Sequence, residues 1–121
     1  MDFENDRPIY LQLLEDFKVK ISNGKWKSGE RIDSVRNLAK DYEVNPNTVQ
    51  RALQELEREG LCESQRTLGR FVTKDKNLID KLGDTAFNQA CDEFIEKTKA
   101  LKIKKKDAIE KLDKYWEREN D

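Results

Sequence analysis

The stretch from Ser34 to Gly60 constrains this chain more than any other part of it. Ser34 is a good helix cap, and Val35, Leu38, Ala39 and Tyr42 follow at spacings of three and four, the pattern of one buried helical face. Glu43-Val44 break that period and Asn45-Pro46 restart it. Asparagine caps well, and proline at the first helical position loses nothing, because first-turn amides have no intrahelical acceptor. Val49, Ala52, Leu53 and Leu56 then face inward, and Gly60 closes the helix. Two helices joined by so tight a turn must cross steeply. That is a helix-turn-helix.

The flanks fit such a core. Asp6-Arg7-Pro8 can open an earlier helix, with Asp6 as cap and Pro8 in the first turn. Its stripe is Ile9, Leu13, Phe17 and Ile21, widened by Tyr10 and Leu14, and Asn23-Gly24 ends it. Residues 25–29 read as a connecting loop, with Trp26 a plug for the core. After Gly60 the period changes. The runs 61–64 and 70–73 are strand-like around Gln65-Arg66-Thr67-Leu68-Gly69, which suggests a two-stranded wing, an irregular loop being the alternative. From Asn77 the chain is helical again: Leu78, Leu82, Ala86, Ala90, Phe94 and Leu101 trace one stripe, broadened by Ile79, Phe87, Cys91, Ile95 and Thr98. A last helix runs from about Lys105 with Ala108, Ile109, Leu112, Tyr115 and Trp116 apolar. The expected fold is mostly α with a small β wing. A winged helix-turn-helix domain occupies 1–76 (helix-turn-helix 34–60, wing 61–74), and a helical pair occupies 77–121.

Composition removes whole classes of function. At 121 residues the chain supports one domain plus an appendage, and its 36% apolar and 40% charged content suits a helix-rich soluble protein. No apolar run approaches the ~20 residues that span a bilayer, and the acidic start Met1-Asp2-Phe3-Glu4 is no secretory signal. A cytoplasmic location, with no membrane partner, is expected. Histidine is absent, which removes the commonest general base and the commonest zinc ligand together. Cys62 and Cys91 stand far apart with no metal-ligand spacing and read as reduced thiols. No enzyme, metal or cofactor is expected.

The net charge of −1 argues against a nucleic-acid partner only if charge is evenly spread. It is not: Lys18, Lys20, Lys25, Lys27, Arg31, Arg36 and Lys40 meet only Glu30 and Asp33 over 18–40. Such a face can hold phosphates while acids point elsewhere. An α-helix fits the major groove and reads it with its N-terminal residues. With Val49, Ala52, Leu53 and Leu56 inward, the outward face of the helix opened by Asn45 is Pro46, Asn47, Thr48, Gln50 and Arg51. Asparagine and glutamine pair bidentately with adenine, and arginine with guanine. Thr48 and the amides at the helix start suit a phosphate, and Arg36 should lie near the same groove. The plainer reading is a cap followed by a solvated face. Arg66 and Arg70 flank the wing tip, where cations reach a minor groove or the backbone unless they are simply solvated.

The run Gly24-x-Trp26-x-x-Gly29-x-Arg31-Ile32-x-Ser34-x-Arg36-x-Leu38-Ala39 leads into Val44-Asn45-Pro46-Asn47-Thr48-Val49-Gln50-Arg51-Ala52-Leu53. Leu56, Glu59-Gly60-Leu61 and Gly69-Arg70-Phe71-Val72 follow in step. Over residues 8–74 this pattern resembles the GntR family of bacterial regulators, and the short tail resembles its YtrA-like subfamily. The resemblance implies a homodimer that binds a palindromic operator, usually repressing transcription, often beside genes for ATP-binding-cassette transporters. It also implies that Ser34, Arg36, Asn45, Pro46, Asn47, Thr48, Gln50 and Gly69 face the DNA. Two positions differ: Asp33 stands where the family commonly has proline, and Thr67 where the wing has the first of two glycines.

The tail is far too short for the effector-binding domain of larger relatives, so the identity of any small-molecule effector stays open. A helix pair exposing so many large apolar groups must pack on its own domain, on a second copy, or both. The expected pairing residues are Leu78, Leu82, Phe87, Phe94, Ile95, Leu112, Tyr115 and Trp116. Phe94, Tyr115 and Trp116 are either core or the lining of a small pocket.

Overall fold

The computed structural model describes residues 1–119, Glu119 by its backbone only. The chain runs α1 (Ile9–Ser22), α2 (Val35–Tyr42), α3 (Pro46–Arg58), β1 (Cys62–Gln65), β2 (Gly69–Val72), α4 (Lys76–Ala100) and α5 (Lys105–Glu119). This is the mostly helical chain with a small wing that the sequence suggests. Residues 120 and 121 of the expected tail lie outside the described residues. Two compact units, Met1–Asp84 and Thr85–Asp121, divide within α4 rather than ahead of it. Leu78, Ile79 and Leu82, in the first turns of α4, pack against the core of the first unit.

That core is built where the apolar spacing puts it. Leu13, Leu14, Phe17 and Ile21 of α1 meet Leu38, Ala39 and Tyr42 of α2 and Val49, Ala52, Leu53 and Leu56 of α3. Ile32, Leu61, Cys62 and Val72 close it from the wing side. Trp26 stacks on Phe17 with ring centroids 4.9 Å apart, as the plug it was expected to be.

The start of α1 departs from expectation. Ile9 is 44% exposed, and Pro8 rather than Asp6 sits at the cap, with no side-chain cap at all. A buried glutamine does the tethering instead. The Gln12 carboxamide accepts from Glu4 N at 2.7 Å and donates to the carbonyls of Glu4 and Arg7, both at 2.9 Å. The segment before α1 is thus held by backbone hydrogen bonds to one side chain, which the apolar period does not reveal.

The turn between α2 and α3 is made by Glu43, held in the left-handed region at φ 56° and ψ 48°. Val44 N reaches Ala39 O at 3.0 Å and Glu43 N reaches Lys40 O at 3.3 Å, the paired bonds of a helix end that glycine usually makes. Asn45 then caps α3 by accepting from Asn47 N at 2.8 Å.

The wing strands pair antiparallel, with Cys62 opposite Val72 and Gln65 opposite Gly69. A third strand-like edge was not anticipated. Ile32 N donates to Arg70 O at 2.9 Å, Val72 N to Glu30 O at 2.8 Å and Gly29 N to Val72 O at 3.0 Å. That segment, just beyond the expected loop at 25–29, is too short to show a period of two and joins the wing through an isolated bridge between Arg31 and Phe71. α4 continues through Gly83, where a Cβ would lie 2.8 Å from Ser22 Oγ of α1. Among the described residues no helix is long and apolar enough to cross a membrane.

One polar network bolts α1 to the end of α2. Tyr42 donates its hydroxyl to Asp16 at 2.6 Å, and Lys20 Nζ donates to the same hydroxyl while lying 3.5 Å from Asp16. Burial, with the Asp16 carboxylate, pushes the phenol pKa well above its ordinary value, so Tyr42 stays neutral and keeps its donor. Replacing Tyr42 by Phe should lower stability by about 1 kcal/mol, read as an earlier midpoint in urea with an unchanged slope.

Candidate nucleic-acid interface

Because the aliphatic side of α3 is wholly buried, its polar side is presented outward. Asn47 and Arg51 are exposed, Thr48 and Gln50 half-buried, and Pro46 exposed at the helix start. Among the described residues, the carboxamides of Asn47 and Gln50 have no protein partner, whereas the side chain of Asn45 is occupied as the cap.

The amides at the start of α3 are not free for a phosphate. Pro46 has none, Asn47 N is bonded to the Asn45 side chain, and Thr48 N and Val49 N reach Asn45 O at 3.0 and 3.3 Å. The cap and the tight turn consume the donors that the sequence reading left open. The start of α2 differs. Val35 and Arg36 stand in its first turn, where amides lack intrahelical acceptors, and the Arg36 side chain is exposed beside them. Ser34 is occupied as the cap, its hydroxyl accepting from Asn37 N at 3.1 Å. Asp33 Oδ1 accepts from Ser34 N at 2.8 Å and from Asn37 Nδ2 at 2.9 Å. It fixes the entry to α2 by hydrogen bonds where a proline would fix it by its ring, and it leaves a carboxylate there. An open cleft of about 390 Å³ runs from Asp33, Ser34 and Val35 to Gln65, Gly69 and Arg70 of the wing.

The two wing arginines are not equivalent. Arg66 is exposed at the turn, whereas Arg70 has an 18% exposed side chain and lies 3.4 Å from Glu57 of α3. Arg70 ties the wing to α3 instead of standing free at the tip. Gly69 serves another cation: a Cβ there would sit 2.9 Å from Arg31 Nε, and its φ of 110° is one that glycine alone adopts easily. Thr67 carries φ 63° at the tip, and the turn closes by Leu68 N donating to Gln65 O at 3.0 Å.

Sequence reasoning missed Arg31 and Tyr10. The guanidinium of Arg51 lies 3.7 Å from the centroid of the Tyr10 ring, so an α1 residue counted only as apolar supports a cation of α3. The spacing between the two elements gives no hint of it. Leu78 and Leu82, expected at a pairing surface, are partly buried against the core of their own unit. Phe87, Phe94, Ile95, Leu112, Tyr115 and Trp116 are exposed by 39–67%. The Cys62 thiol is buried, pushed up to about 11 by desolvation with Glu57 adding to it, and therefore inert; Cys91 is also unpaired.

Residues 9–72 match the model of a family described as bacterial regulatory proteins, gntR family. The chain belongs to the GntR family. It is 30% identical over 115 residues to the regulator YhcF of Bacillus subtilis, covering 95% of both chains. Its identity to the transcriptional repressor YtrA of the same organism is 39% over 75 residues, 62% of this chain and 58% of that one. A GntR regulator from Listeria monocytogenes superposes with a TM-score of 0.87 at 35% identity, over 93% of this chain and 98% of that one. The AraR DNA-binding domain, solved in complex with its operator ORX1, superposes with a TM-score of 0.56 at 26% identity, over 60% of this chain and 93% of that one. This member of the GntR family is a DNA-binding transcription regulator, in a family of regulators rather than enzymes.

Thr67 explains one departure from the family pattern. A β-branched residue in the left-handed region costs about 1–2 kcal/mol, while glycine loses roughly 0.5–1 kcal/mol of chain entropy on folding. Thr67→Gly should therefore raise stability by up to about 1 kcal/mol, seen as a melting temperature higher by a few degrees.

Proposed function

We propose that this regulator binds a palindromic operator as a homodimer and represses the genes behind it. The observation that carries the reading is the pair of unengaged carboxamides, Asn47 and Gln50, on the outward side of a helix whose other side is fixed in the core. In this reading α3 enters the major groove, with Asn47, Gln50 and Arg51 at base edges and Thr48 at the backbone. Arg36 and the first-turn amides of α2 take a phosphate, with Ser34 and Asn45 setting the two helix ends and Pro46 giving the close approach. Arg66 meets the backbone or the adjacent minor groove, while Arg70 and Gly69 shape the wing that delivers it.

Homodimer formation is assigned to Phe87, Phe94, Ile95, Leu112, Tyr115 and Trp116, large apolar groups whose exposure is costly in a lone chain. A two-fold arrangement sets recognition helices roughly 34 Å apart, one turn of DNA. Repression, and a place in the YtrA-like branch, rest on the repressor YtrA among the relatives. Operator DNA places the protein in the cytoplasm. No effector is assigned.

Titration against the DNA upstream of its own gene tests the reading. A protein making several phosphate contacts should lose ~10³-fold in affinity or more between 50 and 200 mM salt. Gln50→Ala should lose ~1–3 kcal/mol of discrimination at particular base pairs, and Arg36→Ala should weaken binding to every sequence. If both variants bind like the parent, the reading face is misassigned.

Because Leu78 and Leu82 belong to the first unit's core, the informative truncation ends after Asp84, not before Asn77. Residues 1–84 should sediment as a folded monomer with poor operator affinity. A stable dimer of that fragment would remove the tail from the pairing role.

A further inference from the structure

Residues 97–106 read Lys-Thr-Lys-Ala-Leu-Lys-Ile-Lys-Lys-Lys, six of the chain's 24 cationic side chains in ten residues without one acid. They form the end of α4, the bend and the first turn of α5, and all six lysines are exposed. Among the described residues, none of the six ammonium groups pairs with a carboxylate. We propose that this bend is a second DNA-binding surface, which holds backbone phosphates without reading sequence. The proposal rests on operator binding as set out above.

The bend is well defined, and its charge is not what the chain's own stability would select. Ile103 N reaches Thr98 O at 3.2 Å and Lys102 N reaches Lys99 O at 2.9 Å, closing α4 with Lys102 at φ 59°. Glycine makes that turn without strain, yet a lysine stands there. Lys104, Lys105 and Lys106 crowd the start of α5, the positive pole of a helix, with only Asp107 as an acid in its first turn. Lys97 and Lys99 at the end of α4 suit the helix dipole, but all six repel one another across the bend. Half-buried Ile103 and buried Ala108 hold it in shape. A polyanion removes the repulsion, and phosphates spaced along a strand match a row of point charges that carries no planar, base-reading fork.

Three other partners present negative charge: the acids Asp92, Glu93 and Glu96 of a second copy, an anionic lipid surface, and an acidic protein. DNA is favoured because the same chain carries a DNA-binding domain, so the second contact is made at high effective concentration.

The test uses the full chain with Lys102, Lys104, Lys105 and Lys106 replaced together by Gln, and by Arg as the conservative variant. Operator affinity is measured from 50 to 200 mM salt, on the operator and on an operator changed at one base pair. The salt slope falls by about 0.9 for every phosphate that a lysine no longer neutralises. The Gln variant should lose about two to four in slope, so the parent's advantage shrinks by about 15-fold to 250-fold across that range. Discrimination between the two operators should stay as in the parent, and the Arg variant should restore the slope. An unchanged slope in the Gln variant overturns the proposal. So does an unchanged slope joined to weaker self-association in sedimentation, or to abolished binding of phosphatidylserine vesicles, since the bend then serves another partner. A parent that fails to select its operator at low salt would instead remove the operator reading itself, and this surface with it.

Discussion

The burial of one side of α3 sets what the rest of the molecule can do. Val49, Ala52, Leu53 and Leu56 are all essentially inaccessible, which locks the rotation of the helix about its axis. Every other position on α3 then has a fixed direction, and Asn47 and Gln50 point away from the protein. The turn before it fixes tilt as the core fixes rotation. Glu43 accepts a left-handed backbone, and Asn45 and Pro46 start α3 without a wasted residue. A longer, unstrained loop would leave α3 free to slide against α2, and a probe that slides cannot discriminate bases. The strain at Glu43 is small beside the several buried side chains it keeps in register.

The wing is positioned by the same helix. Glu57, on the last full turn of α3, holds Arg70 and accepts from the Ser64 hydroxyl, one contact to each wing strand. On the other side of β2, the segment around Arg31 bridges to Phe71 and leads straight into the cap of α2. The start of α2, the last turn of α3 and the wing are therefore linked through one small sheet and one ion pair. Several charged groups serve internal alignment: Arg70 on Glu57, Arg51 on Tyr10, Asp33 on the entry to α2. Lys18 and Lys20 of the basic run at 18–40 are likewise paired, with Glu59 and Asp16, so only part of that run is left to face a partner.

Much of this was readable from residue order alone, and the pattern of misses is physical. Elements with a buried face of two or more turns announce themselves, α1 through its period and α2 and α3 through period and caps. The wing is nearly as plain because Phe71, Val72 and Gly69 leave few alternatives, and its strands moved by only one residue. Contacts between polar groups distant in sequence leave no period. Gln12 on the segment before α1, Arg51 on Tyr10 and Arg70 on Glu57 are all of that kind. The free amides expected at α3 failed for a related reason: the cap that makes the helix start recognisable is the group that consumes its donors. The start of α4 was misjudged because Leu78 and Leu82 continue one unbroken stripe into the tail, and a stripe does not say where one packing partner ends.

The division of labour along the chain follows from the chemistry each part carries. In the proposed operator complex, Asn47 and Gln50 are neutral, so hydrogen bonds from them to base edges would be indifferent to counterions and would supply selectivity that persists as salt rises. Arg36 and Arg66 would supply attraction that is the same for every sequence and fades with salt. The lysines of the bend between α4 and α5, as proposed above, would add only to the second kind. A regulator built this way can change its total affinity through its tail while its choice of base pairs stays with α3. If the apolar groups of the tail set how many copies assemble, as proposed, they change total affinity through assembly and leave the choice of base pairs to α3, because none of them belongs to the reading surface.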